Sequence, residues 1–311
     1  TDVALRCNIV TVSTDDLPYE EKTIIDHSSS EISTEDAAVL LEAVRKELET
    51  DIYKFYVGTS YRHLTIWDKG EVVELTPPHD VLGQVIGQYL PKTEALREMM
   101  KKSYDILSNH PINVERMKKG LNPANSIWFW GAGTRPVLAP FVEKTGHTGA
   151  MISAVDLLKG IAVGADMKVV EVEGANGGLD TNYEGKADAA VEALLKDDLD
   201  FAYIHLEAPD EMGHQGSFER KVQAIENLDK RIIKRVTEQL EAAGTDFRML
   251  VLPDHPTPVA IRTHVSDPVP YMLYDSTNKQ SHTWNYNEKE AQESGNYIDK
   301  GYTIINHLFE K

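Results

Sequence analysis

Hydrophobic and polar positions change their rhythm once along the chain, near residue 126. Before it, Ala4 to Val12 is strand-like. Ser33, with Asp36 three residues on, forms a capping box for a helix whose apolar stripe is Leu40, Leu41, Val44 and Leu48. Phe55 to Val57 and Tyr61 to Trp67 predict strands, and Asp68-Lys69-Gly70 predicts a turn into Glu71 to Leu75 as a hairpin. Thr76 to Asp80 breaks regular structure, and helices are expected from about Thr93 to Ser108 and from about Asn113 to Lys119. This is α+β texture.

From Ser126 the order becomes strand, loop, helix, strand. Ile127 to Trp130 runs into a Gly-rich loop, Gly131 to Pro136, and Ala150 to Val155 precedes a helix through Leu157, Leu158 and Ile161. A strand from Lys168 to Val172, a helix from about Gly185 to Lys196 and a strand from Phe201 to Leu206 follow. A long helix after Ser217 carries Val222, Ile225, Leu228, Ile232, Val236 and Leu240 on one face and stops near Gly244. Strands Arg248 to Leu252 and Tyr271 to Tyr274 and a helix around Ile304, Ile305 and Leu308 close the chain. The alternation predicts an α/β fold, a mostly parallel sheet with helices on both faces, joined to a smaller α+β domain. The expected domains are 1–135 (α+β) and 136–311 (α/β).

At 311 residues, the chain has room for two domains. Its 50 acidic against 32 basic residues, a net charge of -18, repel a phosphate backbone, so nucleic acid is not an expected partner. One cysteine, Cys7, excludes an internal disulfide, and a cytoplasmic protein is expected. No apolar run approaches the roughly 18 residues of a membrane span, so no membrane association is expected either. The sequence opens on Thr1 without an initiator Met and enters a strand within a few residues, which predicts that residues upstream were removed or lie outside it.

The candidate chemistry lies at three strand ends. In Tyr203-Ile-His-Leu-Glu-Ala-Pro-Asp-Glu-Met-Gly-His214 an apolar run stops at a proline and leads to Asp210 and His214, which share one face if the turn is helical. Leu252-Pro-Asp-His-Pro-Thr-Pro258 and Thr263-His-Val-Ser-Asp-Pro268 add Asp254, His255 and His264. Strand carboxyl ends are where open α/β sheets hold ligands. Mixed nitrogen and carboxylate donors suit zinc or manganese better than magnesium or calcium. Adjacent Asp254 and His255 ordinarily point apart and reach one ion only from a loop, which the flanking prolines hold still. A pair of ions about 3.5–4 Å apart clamps the attacking and leaving oxygens of an in-line phosphoryl displacement.

In this order and spacing, E-A-P-D-x-x-G-H, L-P-D-H-P-T-P and T-H-x-x-D-P-V-P resemble the archaeal-type cofactor-independent phosphoglycerate mutases of the alkaline phosphatase superfamily. The resemblance covers most of the chain and takes in Tyr61 to Leu64, Pro77 to Asp80, Trp130 to Pro136 and Asp180 to Lys186. It implies two divalent ions (manganese, zinc or cobalt), no 2,3-bisphosphoglycerate, and a phosphoserine intermediate between 3-phosphoglycerate and 2-phosphoglycerate. It implies Asp210, His214 and His264 on one ion, and Asp254 and His255 on the other with an upstream aspartate and the nucleophilic serine. That upstream segment is not recognised here, and Ser28, Ser29 and Ser30 do not replace it. The chain alone is therefore expected to be inactive and to bind metal well only at the first site.

Arg62 and Arg135 are the candidates for the substrate's carboxylate and phosphate, through bidentate guanidinium contacts. Lys159 resembles a family lysine near the phosphoryl site, and His79 and Asp80 resemble residues that handle the hydroxyl proton. Plainer readings stand beside these: Lys159 as a solvated lysine, Arg62 as the polar face of a strand, His205 as a core histidine. Gly131-x-Gly133 lacks the third glycine of a dinucleotide loop. Another phosphomonoester hydrolase or phosphotransferase on the same metal site, or a non-catalytic relative, are the alternative functions.

Overall fold

A computed structural model describes residues 2–279 and 283–310; Thr1, on which the sequence opens, lies outside them. The chain divides into two compact units, Thr1–Pro136 and Val137–Lys311.

The first unit is an antiparallel sheet backed by helices. Strand β1 (Val3–Val12) is its centre, bordered by β2 (Ile24–Asp26), β4 (Arg62–Trp67) and β5 (Ser126–Thr134), with β3 (Tyr53–Tyr56) outside β4. Alternation sends Leu5, Cys7 and Ile9 inward, where they meet Leu40, Leu41 and Val44 of α1 (Thr34–Leu48), Leu96 and Met100 of α2 (Glu94–Leu107), and Ile127 and Phe129 of β5. Ser33 caps α1 as expected, accepting from the Asp36 amide at 3.2 Å. Helix α3 (Pro111–Lys118) follows, capped by the His110 side chain.

Three expectations change here. Residues 71–75 form no strand: β4 already has β1 on one edge and β3 on the other, so a further strand has no free edge to pair with. Val73 and Leu75 pack on the core instead. Gly131 to Thr134 is not a loop but the end of β5, with Gly133 opposite Ala4 and Thr134 opposite Val3. The register slips between Ala4 and Arg6, and Gly131 takes φ +59 there, a left-handed conformation that favours glycine, with the Arg6 side chain packed closely over it. Finally, β5 begins no parallel sheet; it lies antiparallel to β1.

The second unit holds the parallel strands. After α4 (Phe141–Thr145), β6 (Gly149–Ile152) pairs in parallel with β7 (Lys168–Val169) and with β8 (Phe201–Ile204), with α5 (Asp156–Gly164) and α6 (Tyr183–Leu195) as the crossovers. Short α7 (Ala208–His214) leaves β8. The predicted long helix is α8 (Phe218–Leu228), a π-helical turn (Asp229–Ile233) and α9 (Lys234–Ala242) in succession. Arg231 and Arg235 bind Glu184 and Asp188 of α6 bidentately, at 2.6 to 2.9 Å. Strands β9 (Arg248–Val251) and β10 (Met272–Asp275) pair antiparallel with each other as a separate ribbon, so the parallel part is three strands. Helices α10 (Glu288–Glu293) and α11 (Ile304–Phe309) complete the unit. No helix among the described residues is long and apolar enough to cross a membrane.

Candidate metal centre

Helix α7 is the platform of the site. Pro209 fits its first turn, where no amide partner is lost, and the four-residue spacing places Asp210 and His214 on one face. Gly216, at φ +68, lets the chain turn away from its end. The loop after β9 brings His264 against them. Asp210 Oδ2 lies 3.3 Å from His214 Nε2, Asp210 Oδ1 lies 3.2 Å from His264 Nε2, and the two Nε2 atoms are 3.1 Å apart. One ligand atom from each of the three lies within 4.8 Å of the others.

The surroundings of His214 fix which nitrogen faces the cluster. Its Nδ1 is 3.0 Å from the Arg262 carbonyl, which only accepts, so Nδ1 donates there and Nε2 is the nitrogen that faces the cluster. Arg262 has φ +59, a left-handed conformation uncommon for a residue with a side chain. Two imidazole Nε2 atoms and both Asp210 oxygens thus converge at 3.1 to 3.3 Å. The donor set therefore fits a divalent ion bound by two nitrogens and a carboxylate.

Asp254 and His255 stand beside this group without joining it. The His255 ring lies against His264, tilted by 33° at a centroid distance of 3.7 Å, and its Nε2 is 3.5 Å from Asp254 Oδ2. Thr257, 3 % exposed, lies between the two sets: its hydroxyl donates to Asp210 Oδ1 and is 3.3 Å from His255 Nδ1. The Thr257 carbonyl accepts from Lys221 at 2.6 Å and approaches Gly213 so closely that a Cβ there would collide with it. His205 is half-buried beside Tyr203 and does not enter the ligand group; burial holds its pKa below the usual range. Lys159 projects from α5 to Glu171 at 2.7 Å.

The remaining candidates are in the first unit. His79 packs edge-on to Trp130 and to His27, with Asp80 Oδ1 at 3.7 Å. Arg62 lies over Tyr61, and Arg6 lies 4.2 Å above the Trp130 ring, whose indole N–H donates to Asn8. Arg135 follows β5 and is exposed. Trp130 stood in a quoted motif, but Arg6 and His27 had no signal beyond composition, because their neighbours come from segments far away in sequence. Thr257 sat inside a quoted motif, but its contact with Asp210 is purely tertiary.

The metalloenzyme superfamily model matches residues 58–310, and the model for 2,3-bisphosphoglycerate-independent phosphoglycerate mutase matches residues 1–113. A mutase of that name from Methanosarcina barkeri is 46 % identical over 299 residues, covering 94 % of this chain and 73 % of its own. The chain belongs to the 2,3-bisphosphoglycerate-independent phosphoglycerate mutase family. A second member, from Methanothrix thermoacetophila, is 40 % identical and covers 99 % of this chain and 76 % of its own. Among solved structures, a protein of Pyrococcus horikoshii superposes with a TM-score of 0.71 at 26 % identity, over 94 % of this chain and 68 % of that one. The cofactor-independent phosphoglycerate mutase of Thermoplasma acidophilum superposes at 0.60 and 23 % identity, over 99 % and 76 %, a likeness of fold. Membership of this mutase family carries isomerase activity, a divalent metal requirement without 2,3-bisphosphoglycerate, and a small phosphorylated substrate.

Proposed function

We propose that the protein carrying this chain interconverts 3-phosphoglycerate and 2-phosphoglycerate in the cytoplasm, using two divalent ions drawn from manganese, zinc or cobalt. The observation that carries this is the convergence of Asp210, His214 and His264 on one point. Those three residues would hold one ion, and Asp254 with His255 would contribute to a second. Bound ions supply electrostatic stabilisation of the transferring phosphoryl group.

The nucleophilic serine and a further ligand aspartate would come from the segment upstream, and this chain's residues would bind and orient the substrate. Arg62 and Arg135 bind the carboxylate and phosphate and keep glycerate oriented between the two transfers. His79, beside Asp80, holds and moves the hydroxyl proton. Lys159 exchanges Glu171 for the phosphoryl oxygens.

The test is an assay with 3-phosphoglycerate and no 2,3-bisphosphoglycerate, using the metal-loaded full-length protein that carries this chain. The expected outcome is formation of 2-phosphoglycerate, loss of turnover with a chelator, recovery with manganese, and no turnover in Asp210→Ala or His264→Ala. Hydrolysis of generic phosphomonoesters without any mutase turnover would sink the proposal.

A further inference from the structure

We propose that Arg6, with Arg62 beside it, binds the substrate's carboxylate on the outer face of the first unit's sheet and so selects phosphorylated acids over other phosphomonoesters. The inference deepens the mutase reading above and rests on it for the identity of the substrate; its geometry belongs to the first unit alone.

Strand pairing puts the two arginines on one face. Arg6 of β1 lies opposite Leu64 of β4, and Asn8 lies opposite Arg62, so these four side chains leave the sheet on the side away from Cys7 and His63. Arg6 and Arg62 are diagonal neighbours there, close enough for long side chains to share one small ligand. Arg231, Arg235 and Arg248 commit their guanidinium groups to carboxylates, whereas among the described residues Arg6 and Arg62 have none.

Arg6 is also held in place. The register of β1 against β5 slips between Ala4 and Arg6, and bulges of this kind re-aim a side chain. The Arg6 stem packs over Gly131, where an added Cβ would come within 3.0 Å of Arg6 Cδ and 3.3 Å of Cγ. The Arg6 guanidinium lies 4.2 Å above the Trp130 ring, and the Trp130 indole N–H is fixed on Asn8 Oδ1 at 3.0 Å. A guanidinium resting on a ring face keeps N–H groups free at its edge, and that planar fork matches a carboxylate bidentately. The His79 ring meets the same indole at a centroid distance of 5.2 Å, so the residue assigned to the hydroxyl proton borders the arginine assigned to the acid. Of the two anionic groups on phosphoglycerate, the carboxylate is the one that both isomers keep in place, whereas the phosphoryl group moves. The hold on glycerate between the two transfers therefore falls to the carboxylate.

If Arg6 only covered Trp130, a methionine or lysine stem would serve equally well. The test uses the full-length protein that carries this chain, freed of metal so that nothing turns over. The indole N–H resonance of Trp130, assigned with Trp130→Phe, is followed during titration with 3-phosphoglycerate, with glycerate, and with glycerol 3-phosphate, which lacks the carboxylate. The two acids are expected to shift it saturably, and glycerol 3-phosphate to leave it in place. Arg6→Lys and Arg6→Met are each expected to weaken 3-phosphoglycerate binding about 10–100-fold, with an unchanged melting curve. In the metal-loaded enzyme the same variants are expected to raise KM by that factor and to change kcat much less. No saturable shift with either acid, an equal shift with glycerol 3-phosphate, or wild-type affinity in either folded variant would overturn the proposal. Arg6→Lys decides alone if Arg6→Met does not fold. Arg6-dependent binding of the acids without mutase turnover would support the carboxylate site and count against the mutase reading, so the two failures are distinguishable.

Discussion

His63 shows how a single position on a strand acquires a pH dependence. Pairing with Cys7 turns its side chain into the core of the first unit, where its Nδ1 accepts from the Gly58 amide at 3.1 Å. Burial pushes its pKa down from 6.5 to about 4. The unfolded chain therefore takes up the proton first as pH falls. The stabilising effect of a neutral His63 is complete above about 6.5, is lost progressively down to about 4, and amounts to at most about 3 kcal/mol. Urea unfolding between these values is expected to show that decline, and His63→Asn, which keeps an acceptor and cannot ionise, should flatten it. Asp26 acts in a lower window. Burial raises its pKa, but the Ser28 and Ser30 amides, the Ser28 hydroxyl and Asn122 outweigh that and hold it at about 2. Its contribution is present above 3.8 and disappears as pH falls toward 2, so the two effects separate on one titration. The burial of His63 was legible only as alternation along 61–67; its depth depends on β3, β1 and the helices behind them.

At the scale of elements, α7 depends on a buried ion pair that the sequence did not announce. Lys186 of α6 is fully buried, with Nζ 3.2 Å from the His205 carbonyl and 3.6 Å from Glu207 Oε2, just before α7 begins. Neither carboxylate oxygen of Glu207 has a hydrogen-bond partner among the described residues. Burial depresses the Lys186 pKa, and Glu207 opposes that shift. Removing one member leaves the other charge buried without compensation, so Lys186→Met is expected to destabilise by about 3–5 kcal/mol. Lys186→Met combined with Glu207→Leu is expected to recover most of that loss, because two apolar side chains replace a pair that was costly to desolvate. Denaturant unfolding of both variants checks this; equal losses would show that the pair does not act as a unit. Sequence periodicity placed α6 and β8 correctly. It could not place Lys186, since a lysine on a helix is ordinarily solvated, and only the crossing of α6 over the end of β8 buries this one.

For the whole molecule, the two units carry separate cores, and the candidate ligands Asp210, His214 and His264 belong to the second. A ligand that binds the native state stabilises by RT ln(1 + [L]/Kd), about 2.7 kcal/mol at a hundredfold excess over Kd. Hydrogen exchange with saturating manganese is expected to slow in α7 and in the loops around Thr257 and His264, with β1 and β5 unchanged. Slowing confined to the first unit would contradict the assignment of the ligands. The sequence by itself determined the residue types at the metal centre, the spacing that puts Asp210 and His214 on one helical face, and most helix positions, because these follow from local periodicity and capping. It also carried the family. Strand pairing was decided by the tertiary structure: that neither edge of β4 was free, where β5 lies, and that β9 and β10 form their own ribbon, since edges are filled by segments far apart in sequence. The same holds for the partners of the ligands. The Arg262 carbonyl on His214 and the Thr257 hydroxyl between Asp210 and His255 arise only where separate segments meet.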